Sequence, residues 1–212
     1  TPKTFINTEL LYSNEIGADV AEMGFNLMVT EGAKHVLGWK SPNYMYANNI
    51  NPKLRLLLRN YRLSDDISLR FASDCLTTDN YVERLNEIKD GEVVNVCVDY
   101  DNFGYRYDDS TGILNFMRYL PEAIFNNTDF EFAKPIEMLD KLQTMSMFDA
   151  PIPLSCMDEE RDLSAWMGNV LQDDALETLY SFANKVKRNK EEDVIRDWNA
   201  LQDANHFYSL CT

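Results

Sequence analysis

Short apolar runs alternate along this chain with stretches of helical period, and that alternation constrains the fold more than any other feature. Strand then helix, repeated, implies parallel strands covered by helices. Thr4-Phe5-Ile6-Asn7, Phe25 to Thr30, Leu54 to Leu58, Val93 to Val98 and Phe130 to Ala133 read as strands. Ile16, Val20 and Met23 share one helical face after the first of them, and Val82, Leu85 and Ile88 share another on a helix that Asp79 begins and Gly91 stops. Ser64 can cap a short helix through Arg70, with Asp65 and Asp66 in its first turn. Ser110 or Thr111 starts a helix carrying Ile113, Leu114, Met117 and Leu120, which Pro121 interrupts or redirects, and Pro135 opens one with Ile136, Leu139 and Leu142. The pattern changes after Asp149: Pro151 and Pro153 mark a linker, and helical spacing runs through Leu171, Ala175, Leu176, Leu179, Ala183 and Val186, then Val194, Ile195, Trp198 and Leu201. The expectation is an α/β chain with parallel strands over residues 1–150 and a helical region over 151–212.

Active sites in parallel sheets gather at the carboxyl ends of the strands. The run Val93-Val94-Asn95-Val96-Cys97-Val98 reads as a strand buried on both faces, and Asp99 stands where it ends. Glu9 stands where the first strand ends. Two carboxylates flanking one bond are what glycoside hydrolysis needs, one as nucleophile and one as general acid and then base. The plainer reading of any one such acid is a helix cap or a solvated loop charge.

A formal net charge of −15 argues against nucleic acid and anionic membrane as partners, because both demand clustered Lys and Arg. A neutral ligand remains open. No apolar stretch approaches the length of a membrane span. Cys75, Cys97, Cys156 and Cys211 lack metal-ligand spacing and read as reduced thiols, and the two histidines, His35 and His206, lie far apart. No glycine-rich phosphate loop is present. Neither a metal nor a cofactor is therefore expected. Nothing at the N-terminus reads as a signal peptide, which points to the cytoplasm, although Thr1-Pro2-Lys3 does not read as a natural start and leaves a leader open.

Six blocks carry a family resemblance. They are Asn7-Thr8-Glu9-Leu10-Leu11-Tyr12-Ser13-Asn14; Glu31-Gly32-Ala33 with Leu37-Gly38-Trp39-Lys40-Ser41-Pro42-Asn43; Leu57-Leu58-Arg59-Asn60-Tyr61-Arg62-Leu63-Ser64-Asp65-Asp66; Val98-Asp99-Tyr100-Asp101-Asn102-Phe103-Gly104; Asp158-Glu159-Glu160-Arg161-Asp162-Leu163-Ser164-Ala165-Trp166; and His206-Phe207-Tyr208. In order over nearly the whole chain, they resemble the α-amylase-type branch of glycoside hydrolase family 57. The resemblance implies part of a distorted seven-stranded β/α barrel, a helical region after it, and action on α-glucans or maltodextrin by a retaining mechanism without a metal. It assigns the nucleophile to Glu9, the acid/base to Asp99, and sugar contacts to Asp101 and Trp166. Trp39 is expected either at the barrel mouth, against substrate, or as a buried loop anchor, and His206 either near the site or at a plain helix end.

Two departures accompany these matches. The His-Gln-Pro block that family members carry ahead of the nucleophile is absent, so the missing N-terminal part of the barrel is itself an expected partner. After Phe103-Gly104 the usual Glu-His-Gln-Trp is replaced by Tyr105-Arg106-Tyr107-Asp108, whose tyrosines read as groove-lining or as ordinary loop residues. The expected function is an α-amylase-like retaining hydrolase, with Asp99 protonated in buried surroundings. A non-catalytic carbohydrate-binding protein and a 4-α-glucanotransferase are the alternatives.

Overall fold

Five strands form one sheet in the order β1-β2-β4-β3-β5. The computed structural model describes residues 2–211. The strands are β1 (Thr4–Ile6), β2 (Leu27–Glu31), β3 (Met45–Asn48), β4 (Arg55–Arg59) and β5 (Thr144–Phe148). β1 runs parallel to β2 and β2 parallel to β4, as the strand and helix alternation requires, while β3 returns antiparallel against β4 and pairs parallel with β5. The sheet is thus mixed and mostly parallel. β2, β4 and β3 are interior strands and are almost wholly buried, which the near-continuous apolar runs of β2 and β4 anticipate.

The chain divides into two compact units, Thr1–Leu154 and Ser155–Thr212. In the first, α1 (Asn14–Glu22) is capped by the Ser13 hydroxyl, which accepts from Ile16 N at 3.2 Å. Val20 is buried and Ile16 packs on the core, but Met23 falls past the helix end and is exposed. Tyr12, Val20, Met28, Tyr46, Leu56, Leu58 and Phe148 belong to one apolar cluster, in which Leu56 and Leu58 are fully buried. Each such leucine contributes about 1.5–3 kcal/mol. Between β2 and β3 lies the single-turn α2 (Lys34–Leu37).

A second cluster joins α3 (Tyr61–Ser68), α4 (Thr78–Asn86) and α5 (Ile113–Asn127) through Leu63, Ile67, Tyr81, Leu85, Ile113 and Phe116. Several boundaries differ from the sequence reading. α3 starts at Tyr61 because Asn60 caps it, its side chain accepting from Leu63 N at 3.2 Å, which leaves Ser64 inside. Thr77 caps α4, which ends at Asn86, well before Gly91. α5 follows a 3-10 turn at Asp109–Thr111 and passes through Pro121 without stopping, forgoing one backbone hydrogen bond there. Pro135 opens a 3-10 turn that leads into α6 (Met138–Lys141).

Two expected strands are not strands. Phe130 to Ala133 is irregular and largely exposed. Val93 to Val98 is half-buried and pairs only through an isolated parallel bridge between Asn95 and Arg59. The register supplies the reason: β3 holds β4 only from Arg55 to Leu57, so the remaining edge of β4 is one short bridge long. β3 and β5 escaped the sequence reading.

The second unit is helical: α7 (Ser164–Met167), α8 (Val170–Ser181), α9 (Ala183–Arg188), α10 (Glu192–Leu201) and α11 (Ala204–Tyr208). Asn169 and Gln172 form a capping box at α8, and the buried Gln172 amide also donates to the carbonyls of Ala165 and Phe207 at 2.9 and 3.0 Å. No helix among the described residues is long and apolar enough to cross a membrane.

Candidate active site at the strand carboxyl ends

Four segments finish side by side at one rim of the sheet: β1, β2, β4 and the Asn95 segment, parallel in that order. Their ends carry Glu9, Glu31, Arg59 and Asp99. Neighbouring strands lie about 4.8 Å apart, so Glu9 and Asp99 share a rim with two strand ends between them.

Glu9 sits in a 3-10 turn, Thr8–Leu10, with φ of 51°, and Leu10 follows at 50°. Two successive non-glycine residues in the left-handed region cost about 1–2 kcal/mol each. The turn is over-determined by its neighbours, as such strain requires. Asn7 accepts from Thr8 N at 3.0 Å and donates to Leu11 O at 3.1 Å, and the buried Thr30 hydroxyl donates to Leu10 O at 3.0 Å. The last of these pins the turn to the end of β2, beside Glu31. The Glu9 side chain is half-buried.

Between the two acids lies a buried ionic cluster. Arg59 donates to Glu31 at 2.9 Å and to Asp65 of α3 at 2.7 Å, with side-chain exposures of 4, 0 and 6 % in the order Arg59, Glu31, Asp65. Its third arm, Nε, donates to Cys97 O at 3.0 Å. Cys97 N in turn donates to the Ser64 hydroxyl at 3.1 Å, and Asn95 is clasped to β4 through Leu58 O and Asn60 N. One guanidinium therefore fixes the end of β2, the middle of α3 and the backbone two residues before Asp99. Burial pushes the Cys97 thiol up to about 11, with Arg59 opposing and Glu31 reinforcing the shift.

Asp99 itself is exposed, not buried as expected. The run before it is only half-buried, with Val96 exposed, so the buried surroundings expected for Asp99 are not found. Its carbonyl accepts from Asn102 N and Asn102 Nδ2, both at 3.1 Å, which closes a 3-10 turn over Tyr100–Asn102. Asp101 lies in that turn and is exposed. Tyr107 is a loop anchor: its hydroxyl donates to Ser68 O at 3.2 Å and its ring meets Phe71 with centroids 5.7 Å apart. Tyr105 is exposed.

The other expected residues fall elsewhere. Trp39 is 87 % exposed, which removes the buried-anchor reading, and it lines a cavity of about 700 Å³ that neither Glu9 nor Asp99 lines. Trp166, half-buried in α7, and His206, exposed in α11, belong to the second unit. Asp66 is buried and joins Arg70 at 2.6 Å to Arg84 at 2.7 Å. Sequence reasoning missed the Glu31, Arg59 and Asp65 cluster. Its signal was present, since two adjacent apolar strands each end in an opposite charge. The described residues include no group of three or more His, Cys, Asp or Glu able to hold a metal ion, and all four cysteines are free.

Comparison with known proteins bears out the family resemblance. A protein of Methanocaldococcus jannaschii described as "Putative alpha-amylase" is 37% identical over 221 residues, covering 97% of this chain and 47% of its own length. The chain thus spans about half of that relative. Among solved structures, 4-alpha-glucanotransferase from Thermococcus litoralis matches with a TM-score of 0.57 at 18% identity, over 86% of this chain and 29% of that one, a likeness of fold alone. The model of glycosyl hydrolase family 57 matches residues 1–153, and the chain belongs to that family.

Proposed function

We infer that the protein is an α-amylase-like glycoside hydrolase acting on α-glucans by retaining double displacement, its sheet forming part of a seven-stranded β/α barrel. The observation that carries this reading is the common rim of Glu9 and Asp99, each at the end of a parallel segment and each held by its own hydrogen-bonded turn. Glu9 attacks the anomeric carbon as Asp99 gives its proton to the departing glycosidic oxygen. Asp99, now a carboxylate, takes a proton from water, and that water displaces Glu9 with the α-configuration restored. The chemistry needs the two carboxyl groups roughly 5 to 5.5 Å apart, so both side chains must reach inward across the roughly 14 Å that three strand spacings put between their backbones. Asp101, in the 3-10 turn that follows Asp99, is the proposed sugar contact.

Replacing Glu9 by Gln or Asp99 by Asn is expected to lower turnover of maltodextrin by more than about a thousandfold, while folded content by circular dichroism stays unchanged. Substantial turnover in either variant defeats the assignment. Proton NMR of the first product released should show the α-anomer. The exposure of Asp99 and the use of Tyr107 as an anchor favour a second reading, glucan binding without cleavage. Calorimetric binding of maltodextrin by a protein that releases no product would establish it.

A further inference from the structure

The cavity beside Trp39 has a charge opposite to that of the chain around it. Six of its lining residues are Lys or Arg and three are acids, in a protein of net charge −15. Two of the cations, Arg70 and Arg84, are paired with Asp66 and Asp74. The other four, Lys34, Lys40, Arg62 and Lys89, meet no carboxylate within ion-pair distance among the described residues. Lys40 is held by the Ser146 hydroxyl at 2.9 Å, Lys89 by Asn86 O at 2.7 Å, and Arg62 lies over the Tyr61 ring at 5.9 Å. Neutral partners orient these cations without cancelling their charge. The first turn of α3 also lines the cavity, and its macrodipole adds positive potential there.

An acidic protein that gathers uncompensated cations around one concave surface concentrates anions at that surface and repels them elsewhere. The exposed indole of Trp39 at the same cavity offers a flat apolar face, a surface that a sugar ring can cover. We propose that this cavity is a binding site for a phosphoryl group, carried on a sugar or free as inorganic phosphate. Neither Glu9 nor Asp99 lines it, and the proposal stands independently of the hydrolase reading.

The test is isothermal titration calorimetry of the whole protein with three probes: inorganic phosphate, glucose 1-phosphate and glucose. Measurable binding of glucose 1-phosphate is expected, with a loss of about tenfold or more in the Lys40→Ala, Arg62→Ala double variant. A second pair, Arg62→Glu with Lys89→Glu, should abolish it, with folded content by circular dichroism unchanged in both pairs. Tighter binding of glucose 1-phosphate than of phosphate, with the difference removed by Trp39→Ala, identifies the esterified ligand. Equal affinities identify free phosphate. No binding of either phosphoryl probe, binding unchanged in both double variants, or glucose binding as tightly as its phosphate overturns the proposal.

Discussion

Burying Glu31, Arg59 and Asp65 takes three charges out of water, a cost recovered only where the geometry is close to ideal. Arg59 meets that condition with a planar fork whose arms reach Glu31 Oε2, Asp65 Oδ1 and Cys97 O. Removing the cation leaves two buried carboxylates facing one another. Arg59→Met is therefore expected to destabilise the protein by about 3–5 kcal/mol, read as a lower urea midpoint. Arg59→Lys should recover only part of the loss, because an ammonium cannot serve three partners held in one plane. An unchanged midpoint in Arg59→Met would show that the cluster is not holding the rim. The opposite charges that end the β2 and β4 runs were visible, but a strand-end arginine reads equally as a solvated charge until β2 and β4 are known to be neighbours. The partner Asp65 reads from the sequence as a first-turn helix charge, and the Asn60 cap, which starts α3 four residues earlier, places it in the second turn, where it is buried.

At the level of strands and helices, β2 runs tight against the end of β4 at Gly32. A Cβ built on Gly32 falls inside contact distance of Arg59 O and at 3.0 Å from Pro42 Cβ, so only glycine fits without a backbone shift. Gly32→Ala is expected to cost about 1–3 kcal/mol, with thermal unfolding as the measure, and to disturb the Glu31 and Arg59 pair next to it. β1, β2 and β4 were legible because each is a short apolar run closed by polar residues, and parallel pairing followed from the helices between them. β3 was not, since Met45-Tyr46-Ala47-Asn48 has neither alternation nor a β-branched residue and owes its burial to β4 and β5 on its two sides. Val93 to Val98 misled in the other direction. Its β-branched residues suit a strand, but the sheet offers it one bridge, and the remainder packs through Val94 and Val98 onto the helical cluster. Glu9 was placed correctly at a strand end, whereas its left-handed backbone depends on Asn7 and Thr30 and leaves no mark in composition.

Across the whole molecule, the ionisable groups held neutral by burial set an upper pH limit to stability. Burial raises Cys97 to about 11 and Tyr46 to about 12, and it raises Tyr12 and Tyr81 still further. The unfolded chain ionises these groups at lower pH, so the folded state binds more protons there and loses stability as pH rises. The urea midpoint should hold below about pH 9, where the free thiol begins to ionise, and fall steadily through 11. Cys97→Ser should flatten the first part of that fall, and an unchanged slope would show that the thiol is not the group responsible.

Tyr12 and Leu154 exchange both backbone hydrogen bonds, at 3.1 and 2.7 Å, and Asn14 N reaches Ala150 O at 2.9 Å nearby. The ribosome must therefore release nearly the whole of the first unit before this clasp can form. Closing so long a loop is entropically slow, and the shorter-range pairing of β1, β2 and β4 has every opportunity to precede it. The rim bearing both acids is thus assembled from early-made strands and locked late, by residues that take no part in chemistry.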